Sequence, residues 1–266
     1  MRMQDGPTQL SQRQQQILAY VAEWGQGSIA AFAAEMGVTE QTIRRDVNRL
    51  CAQNLLRRVH GGVAAIAGPN LHYSKRRVMN TAAKRQIGAA FAGLVADGAS
   101  LAVSIGTTPE LAVDALHQHS DLTLVTNNLW VAMLGCERPG WRVDLPGGTV
   151  RPSDRDILGR HVAQFFARFQ VDIGLFGVAG VAADGTLLDF NEDEVEARMA
   201  IRKNCRCAVL VLDHSKFGRP AHMRGGHITD ADVVICNHTP PDPILASLAA
   251  ANRRLIVTGH PGGPDE

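Results

Sequence analysis

The stretch TEQTIRRDVNRL, residues 39–50, decides how the first part of the chain folds. Ile43, Val47 and Leu50 recur at the spacing of one helix face, and Thr39 is a residue type that caps helix N-termini. The other side chains suit a helix in the major groove, because arginine binds guanine or phosphate and asparagine or glutamine pairs with adenine. The candidate DNA-contacting residues of this segment are Thr39, Gln41, Thr42, Arg44, Arg45, Asn48 and Arg49. A solvated helix face is the alternative interpretation.

Two helices are predicted before this one, and the second of them is barely two turns long. The segment SQRQ, residues 11–14, has the form of a capping box and opens the first of them. Ser28 can cap the second, and Gly37 is the residue type that ends a helix. Three helices in this order predict a helix-turn-helix unit.

A wing is predicted after these helices. Residues 55–59 indicate a strand, and the glycines that follow His60 turn the chain back on itself. Arg57, Arg58 and His60 are expected to contact the DNA backbone or the minor groove, which adds affinity and salt dependence. Phosphate would repel Asp46, so we expect its carboxylate to orient Arg45 or Arg49.

Composition limits the class of protein. The 266 residues are 45% hydrophobic and 20% charged, which excludes disordered, collagen-like and coiled-coil chains. No apolar run is long enough to span a membrane, and Met1–Gln16 is polar, so we expect a folded cytoplasmic protein. The five cysteines form no CxxC pair and the ten histidines show no metal-ligand spacing. We therefore expect no metal and no other cofactor. The net charge of +1 says nothing about nucleic acid, but residues 41–60 hold five arginines against one aspartate.

The rest of the chain predicts a second domain. We place a winged helix-turn-helix domain at residues 1–67, a basic linker at 68–83, an α/β domain at 84–260 and a tail at 261–266. In the α/β domain, short apolar runs alternate with helical patterns, which indicates an open parallel sheet with helices on both faces. The predicted strands are 99–105, 122–126, 143–145, 173–178, 208–212, 233–236 and 255–257, and the predicted helices are 109–118, 128–136, 157–169, 193–204 and 242–250.

Polar residues follow several of these strands. Gly106, Thr107 and Thr108 lead to Pro109, which suits the first position of a helix, so backbone N–H groups and hydroxyls would meet at a helix N-terminus that favours phosphate. A simple cap is the alternative. The run Thr126, Asn127 and Asn128 offers donors and acceptors for hydroxyls, or an N-cap for the next helix.

Three further groups are candidates for effector binding. Asp213 and Lys216 end another strand and would supply an acid for sugar hydroxyls and a base for phosphate. Glu194 and Arg198 have the spacing of a surface helix pair, which is the alternative to a ligand role. Gly147, Gly148 and Arg151 fit a loop near a binding site or a plain turn.

The chain resembles the DeoR family of bacterial transcription regulators. The resemblance rests on Thr42-Ile-Arg-Arg-Asp46, Arg58-Val-His-Gly-Gly62, Ile105-Gly-Thr-Thr108, Val125-Thr-Asn-Asn128, Gly147-Gly148, Gly177 to Gly180 and Asp213-His-Ser-Lys-Phe217, and it covers roughly residues 11–260. It implies a winged helix-turn-helix on a sensor domain of ribose-5-phosphate-isomerase-like fold, operator DNA as partner, and a phosphorylated sugar or polyol as effector. Some runs are most similar to members that regulate glycerol 3-phosphate metabolism, so glycerol 3-phosphate is the expected effector. The family also implies a homodimer or homotetramer.

Two positions depart from the family pattern. Arg198 stands where the family usually has lysine beside Glu194, and Cys236-Asn237 stands where Thr-Asp is common. The second departure predicts a missing acid in the effector pocket and a changed choice of effector.

Three functions remain open from the sequence. The first is a repressor that a phosphorylated small molecule releases from DNA. The second is a sugar-phosphate isomerase or acyl transferase that carries a helix-turn-helix, with Glu194 as general base. The third is a regulator tuned by a protein partner or by a different sugar phosphate.

Overall fold

The computed structural model describes residues 10–24, 26–53, 55–59, 61–65 and 73–259. The chain forms two compact units, residues 1–71 and 72–266. Within the described ranges, no helix has both the length and the apolar character needed to cross a membrane.

The first unit has the predicted helix order and wing. Its elements are α1 (Gln12–Trp24), β1 (Gln26–Ser28), α2 (Ile29–Glu35), α3 (Glu40–Ala52), β2 (Leu56–Val59) and β3 (Gly62–Ala65). Antiparallel β2 and β3 form the wing, and β1 pairs with β3. Glycine is required at Gly62, because a Cβ there would lie 2.2 Å from the Gly27 carbonyl oxygen.

The predicted caps of the first unit are confirmed. The Ser28 side chain accepts a hydrogen bond from Ala31 N–H, and the Thr39 side chain accepts one from Thr42 N–H. Ile43, Val47 and Leu50 are fully buried in one core with Ile17 and other apolar residues of α1 and α2. The apolar stripe of α3 therefore fixes which of its faces points away from the core.

The second unit is a mixed α/β structure that begins with two helices. Its helices are α4 (Tyr73–Val78), α5 (Thr81–Ala92), α6 (Thr107–Asp114), α7 (Leu129–Cys136), α8 (Arg160–Phe166), α9 (Glu192–Lys203) and α10 (Asp242–Ala250). Its strands are β4 (Ser100–Val103), β5 (Thr123–Thr126), β6 (Arg142–Asp144), β7 (Val150–Arg151), β8 (Asp156–Ile157), β9 (Val171–Phe176), β10 (Gly180–Val181), β11 (Thr186–Asp189), β12 (Cys205–Leu212), β13 (Met223–His227), β14 (Val233–Cys236) and β15 (Arg254–Val257).

Seven of these strands form the predicted parallel sheet. Their order is β6-β5-β4-β9-β12-β14-β15, and every pairing in it is parallel. One face packs on α8, α9 and α10 and the other on α5, α6 and α7, so two cores lie against one sheet. The strand order reverses between β4 and β9. Open α/β sheets bind ligands outside the carboxyl ends of the strands at such a switch point.

The structure corrects the predicted linker at residues 68–83. Residues 68–72 lie outside the described ranges, whereas Tyr73–Val78 is helical and α5 begins at Thr81. Tyr73 is 3% exposed, and its hydroxyl donates a hydrogen bond to Glu110. A contact between residues so far apart in sequence leaves no local pattern, which is why the segment was predicted as a linker.

Three other features differ from the sequence prediction. Helix α6 begins at Thr107, so Pro109 is the third helical residue and not the first. The predicted helix 157–169 is shorter, and Ile157 belongs to β8, which pairs with β7 in a small hairpin. A separate antiparallel sheet of β10, β11 and β13 was not predicted, because its strands are short and rich in glycine.

Candidate DNA interface and effector site

Helix α3 presents the polar face that the sequence predicts. Its candidate residues Thr39, Gln41, Arg44, Arg45, Asn48 and Arg49 are exposed, and Thr42 is half-buried with its hydroxyl 3.0 Å from that of Thr39. Arg44 forms an exposed ion pair with Glu40 one turn earlier, at 3.0 Å. Among the residues that the structure describes, the exposed side chains of Arg45 and Arg49 have no hydrogen-bond or ion-pair partner, so their guanidinium groups can donate to DNA.

The wing is bonded to α3. The Arg58 guanidinium donates to the side-chain oxygen of Asn48 on α3. Arg57 is half-buried, and burial lowers the pKa of its guanidinium. His60 lies outside the described residues. The wing and the helix thus present arginine and asparagine side chains as one connected surface.

Asp46 does not orient Arg45 or Arg49 as predicted. It is 8% exposed and accepts hydrogen bonds from Arg13 Nε at 2.5 Å and from Gln14 Nε2 at 3.0 Å. The reason is geometric, because Asp46 lies next to Val47 on the side of α3 that faces α1. Its carboxylate therefore fastens α3 to α1.

Replacing Asp46 with alanine is expected to destabilise the first unit by about 1–3 kcal/mol, since the buried amide of Gln14 loses its acceptor. Hydrogen exchange of peptides from α1 and α3 measures this change. Glu35→Ala, at an exposed position of α2, is the control and is expected to change the opening free energy by less than about 0.5 kcal/mol. Unchanged protection in Asp46→Ala would contradict this role.

The loop after β4 opens directly onto α6. Gly106 has φ 128°, a backbone conformation that favours glycine, and it precedes the first helical residue. The Thr107 hydroxyl donates to the Arg76 carbonyl at 3.4 Å. Thr108 is 4% exposed, and its hydroxyl makes no hydrogen bond within the described part of the chain. The first turn of α6 thus keeps one hydroxyl beside its free N–H groups.

The loop after β5 uses most of its polar atoms internally. The Thr126 hydroxyl donates to the Val103 carbonyl at 2.7 Å, and the side chain of Asn128 caps α7, as the alternative interpretation holds. Asn127 donates to the Ile157 carbonyl at 2.9 Å, while its side-chain oxygen is buried and has no partner among the described residues. Of this loop, Asn127 alone retains an acceptor to offer.

The loop after β12 holds a buried acid among bases. Asp213 is 1% exposed and accepts a hydrogen bond from the Asn80 side chain at 2.9 Å. Burial would raise the pKa of its carboxyl, but the charges of Lys216 and Lys84 outweigh that effect and lower it. Asp213 is therefore ionised near neutral pH.

Lys84, Asp213, Lys216 and Arg219 form what we call the edge cluster. Burial lowers the pKa of Lys84 to about 8, and it lowers that of Lys216 well below its ordinary value, with Arg219 adding to the effect. Burial and the charge of Arg76 lower the pKa of Arg219 to about 10. The Lys84 ammonium donates to the Arg76 carbonyl and the Arg219 guanidinium donates to the Ala179 carbonyl. The described hydrogen bonds of Lys84 and Arg219 therefore go to uncharged backbone carbonyls and not to carboxylates.

Glu194 and Arg198 do not form the surface pair that their spacing allows. Both are buried, and the ion pairs of each join it to another residue. Glu194 pairs with Arg151 at 2.9 Å, whereas Arg198 pairs with Asp189 at 2.7 Å and donates to the Gly225 carbonyl. Burial raises the pKa of Glu194, and Arg151 opposes that shift.

Arg151 connects the β7–β8 hairpin to α9. Besides Glu194, its guanidinium binds both oxygens of the buried Asp156, at 2.9 and 2.6 Å. Gly147 and Gly148 are exposed, the Gly147 carbonyl lies 2.9 Å from His161 Nε2, and Gly148 lies beside His161 and Ile157; no described contact joins them to the edge cluster.

The departure at Asn237 has a local role. Its side-chain oxygen accepts a hydrogen bond from His214 N–H at 2.7 Å, and its amide nitrogen lies 3.0 Å from His214 Nδ1. Asn237 therefore supports the turn that carries Lys216. The acid in this region is Asp213.

Sequence reasoning missed several polar residues at this edge. Tyr73 and Arg77 bind Glu110 in the first turn of α6, and Arg76 pairs with Asp154. Lys84 is 3% exposed although its position on α5 carries no motif. The one available signal is the basic run at residues 75–77, which the local pattern places in the predicted linker.

The chain joins a winged helix-turn-helix unit, which has an exposed arginine-rich helix, to an α/β unit with a cationic edge cluster. This combination defines the class of DNA-binding regulators that carry their own sensor. The profile of the "DeoR-like helix-turn-helix domain" matches residues 13–68, and that of the "DeoR C terminal sensor domain" matches residues 79–238. The chain belongs to the DeoR family.

Several characterised repressors are similar over almost their whole length. The glycerol-3-phosphate regulon repressor of Escherichia coli K12 is 38% identical over 239 residues, which are 90% of this chain and 95% of the relative. That of Haemophilus influenzae is also 38% identical, over 93% of this chain and 96% of the relative. The repressor CsqR of E. coli K12 is 32% identical over 92% of this chain and 94% of the relative. Ribose 5-phosphate isomerase A from Methanocaldococcus jannaschii has a TM-score of 0.37 at 16% identity, covering 52% of this chain and 55% of that one.

Proposed function

We propose that this protein is a cytoplasmic transcriptional repressor that leaves its operator when a phosphorylated polyol, glycerol 3-phosphate in the first instance, binds at the edge cluster. The DNA contacts are assigned to the exposed face of α3 and to the wing. Relatives named as glycerol-3-phosphate regulon repressors support the choice of effector.

The observation that carries the effector proposal is the surplus of positive charge in the edge cluster. Lys84, Lys216 and Arg219 lie near Asp213, and the other carboxylates that act on them, Glu110 and Asp189, are already ion-paired with Arg77 and Arg198, so the edge cluster has an excess of positive charge. Buried charge is unfavourable unless it is paired. A phosphate monoester carries about −1.5 to −2 charges at pH 7 and supplies the missing compensation.

The neighbouring loops suit the rest of such a ligand. The Thr108 hydroxyl and the N–H groups of the first turn of α6 can donate to phosphate oxygens. The Asn127 side-chain oxygen and the Asp213 carboxylate can accept from polyol hydroxyls. These groups lie in the first turn of α6 and on the loops after β5 and β12, at the edge of the sheet where its topology places ligands.

Release from DNA follows if the two ligands prefer different states of the protein. A helix-turn-helix that reads two half-sites needs at least a dimer, whose half-site spacing must match the operator. An effector that binds more tightly to an arrangement with the wrong spacing lowers operator affinity by the same factor. The proposed assembly is a homodimer or homotetramer.

The enzyme hypothesis is weaker because Glu194 is not placed as a free base. Its carboxylate is ion-paired with Arg151 and also accepts a hydrogen bond from Phe190 N–H. Turnover of ribose 5-phosphate by the purified protein, abolished by Glu194→Gln, would favour the enzyme. We expect no turnover.

Thermal unfolding with phosphate esters tests the effector proposal. A ligand at about 100 times its dissociation constant adds about 2.7 kcal/mol to the free energy of unfolding, which raises Tm. We expect glycerol 3-phosphate to raise Tm and glycerol to leave it unchanged. No shift with glycerol 3-phosphate or with any hexose phosphate would favour a regulator tuned by a protein partner.

Effector affinity is expected to fall by about tenfold between pH 7 and pH 9, because Lys84, with a pKa of about 8, loses its charge in this range. The ester has its second pKa near 6 and stays a dianion throughout. Titration calorimetry at three pH values measures the slope, and Lys84→Met is expected to reduce it. Affinity that is flat or rises with pH would contradict the assignment.

The same pKa predicts a pH effect on stability in the absence of effector. Between about pH 8 and 10.5 the unfolded chain keeps the proton on Lys84 and the folded chain does not. The free energy of unfolding therefore rises with pH in this window.

A further inference from the structure

Helix α4 is bonded to the loops at the carboxyl edge of the sheet. The Tyr73 hydroxyl donates to Glu110 at 2.7 Å, and Arg77 pairs with the same carboxylate at 2.9 Å. Arg76 pairs with Asp154 in the loop between β7 and β8. The position of α4 therefore depends on the first turn of α6, which belongs to the proposed effector site, and on the loop between β7 and β8.

Asn80, between α4 and α5, makes the connection to the edge cluster. Its backbone is left-handed, with φ 50° and ψ 37°, which costs an L residue roughly 1–2 kcal/mol and which asparagine tolerates better than most. It occupies the N-cap position of α5, yet its side chain makes no capping hydrogen bond. Instead its amide donates to Asp213 at 2.9 Å, across 133 positions of sequence. The side chain thus gives up its usual local role for a contact with the carboxylate of the edge cluster.

We propose that Asn80 is a positioning residue that couples occupancy of the effector site to helix α4. This inference rests on the proposed function. The Asp213 carboxylate accepts hydrogen bonds from Asn80 and from the backbone and hydroxyl of Ser215, and the charges of Lys84 and Lys216 also act on it. A bound phosphate compensates part of the positive charge of these lysines, which weakens their attraction to Asp213. A ligand hydroxyl competes with Asn80 as hydrogen-bond donor to the carboxylate.

A change at the Asn80–Asp213 hydrogen bond would affect α4, the part of the second unit that follows the DNA-binding unit in sequence. Because α4 is the first described element after residue 65, a change at the Asn80–Asp213 hydrogen bond acts on the segment through which the chain continues from the first unit. A coupling of this kind needs two states that differ in effector affinity, and the hydrogen bond supplies the difference between them.

The variant Asn80→Gly separates the two roles of this residue. Glycine keeps the left-handed backbone and removes the amide. We expect glycerol 3-phosphate to bind Asn80→Gly with a Kd within threefold of wild type, by titration calorimetry. Saturating ligand is expected to weaken operator binding at least tenfold in wild type and no more than twofold in the variant, by fluorescence anisotropy.

Two further variants sharpen the test. Asn80→Asp also tolerates the left-handed conformation but sets a carboxylate against Asp213, so the same loss of response is expected. Asn252→Gly is the matched control, since Asn252 has φ 52° and is exposed at the end of α10. It is expected to respond as wild type does.

Two results would overturn the inference. One is a wild-type response in Asn80→Gly, and the other is a parallel loss of effector binding and response, which would make Asn80 a binding residue. Failure of the proposed function itself would be seen in a different result: operator binding by the wild-type protein that no phosphate ester alters.

Discussion

Replacing Lys216 with alanine abolishes the response to glycerol 3-phosphate and leaves operator affinity within threefold of wild type, if the edge cluster holds the phosphate. Truncating one partner of a buried, hydrogen-bonded charge pair costs about 2–5 kcal/mol, so effector affinity falls by about 30-fold or more. Lys216 is the strongest choice because its ammonium has no hydrogen bond or ion pair within the described part of the chain. Its removal therefore breaks no described hydrogen bond of the loop.

Titration calorimetry and operator anisotropy on the same preparation measure both quantities. Lys203→Ala is the matched control, because Lys203 is exposed at the end of α9 and is expected to leave effector affinity unchanged. A Lys216→Ala protein that still binds and responds normally would remove Lys216 from the effector site. The free energy of unfolding without effector is expected to fall, because the buried Asp213 carboxylate loses the charge of Lys216.

The double variant Arg44→Ala/Arg45→Ala weakens specific operator binding by about 30-fold or more. Each arginine that binds a base or a phosphate contributes about 1–3 kcal/mol, and both side chains are exposed on α3 away from the core. The slope of log affinity against log salt also becomes shallower, by about one for each phosphate that an arginine no longer neutralises. Binding isotherms at several salt concentrations separate base recognition from phosphate binding.

Arg206→Ala is the matched control for the double variant. Arg206 is an exposed arginine of the second unit, with an ion pair of 3.3 Å to Asp172, and its replacement is expected to leave operator binding unchanged. The Tm shift with glycerol 3-phosphate is expected to be the same in the wild type, the double variant and the control. Wild-type operator affinity in the double variant would show that α3 is not the DNA-reading helix.

Local patterns sufficed to predict the three helices and the wing of the first unit, because their determinants are close in sequence, whereas the short strand β1 was not predicted. The apolar spacing of Ile43, Val47 and Leu50 defines the buried face, and the caps at Ser28 and Thr39 define where two helices begin. The role of Asp46 was predicted wrongly, because its partner Arg13 lies 33 residues away. A carboxylate beside arginines in sequence says little about which arginine it meets in space.

The second unit shows the same limit more strongly. Strands of buried apolar residues identified the parallel sheet and the polar loops at its carboxyl edge. Side chains that reach this edge from α4 and α5, such as Tyr73 and Lys84, were missed because nothing in their immediate sequence indicates burial. The i, i+4 spacing of Glu194 and Arg198 suggested a surface pair, whereas each is bonded to a different element.

Fluorescence anisotropy of the wild-type protein on the DNA upstream of its own gene cluster, with and without glycerol 3-phosphate, tests the central claim most directly. We expect specific binding that weakens at least tenfold when the ester is saturating, with glycerol and inorganic phosphate having little effect. Specific binding that neither glycerol 3-phosphate nor any hexose phosphate alters would contradict the proposed repressor mechanism.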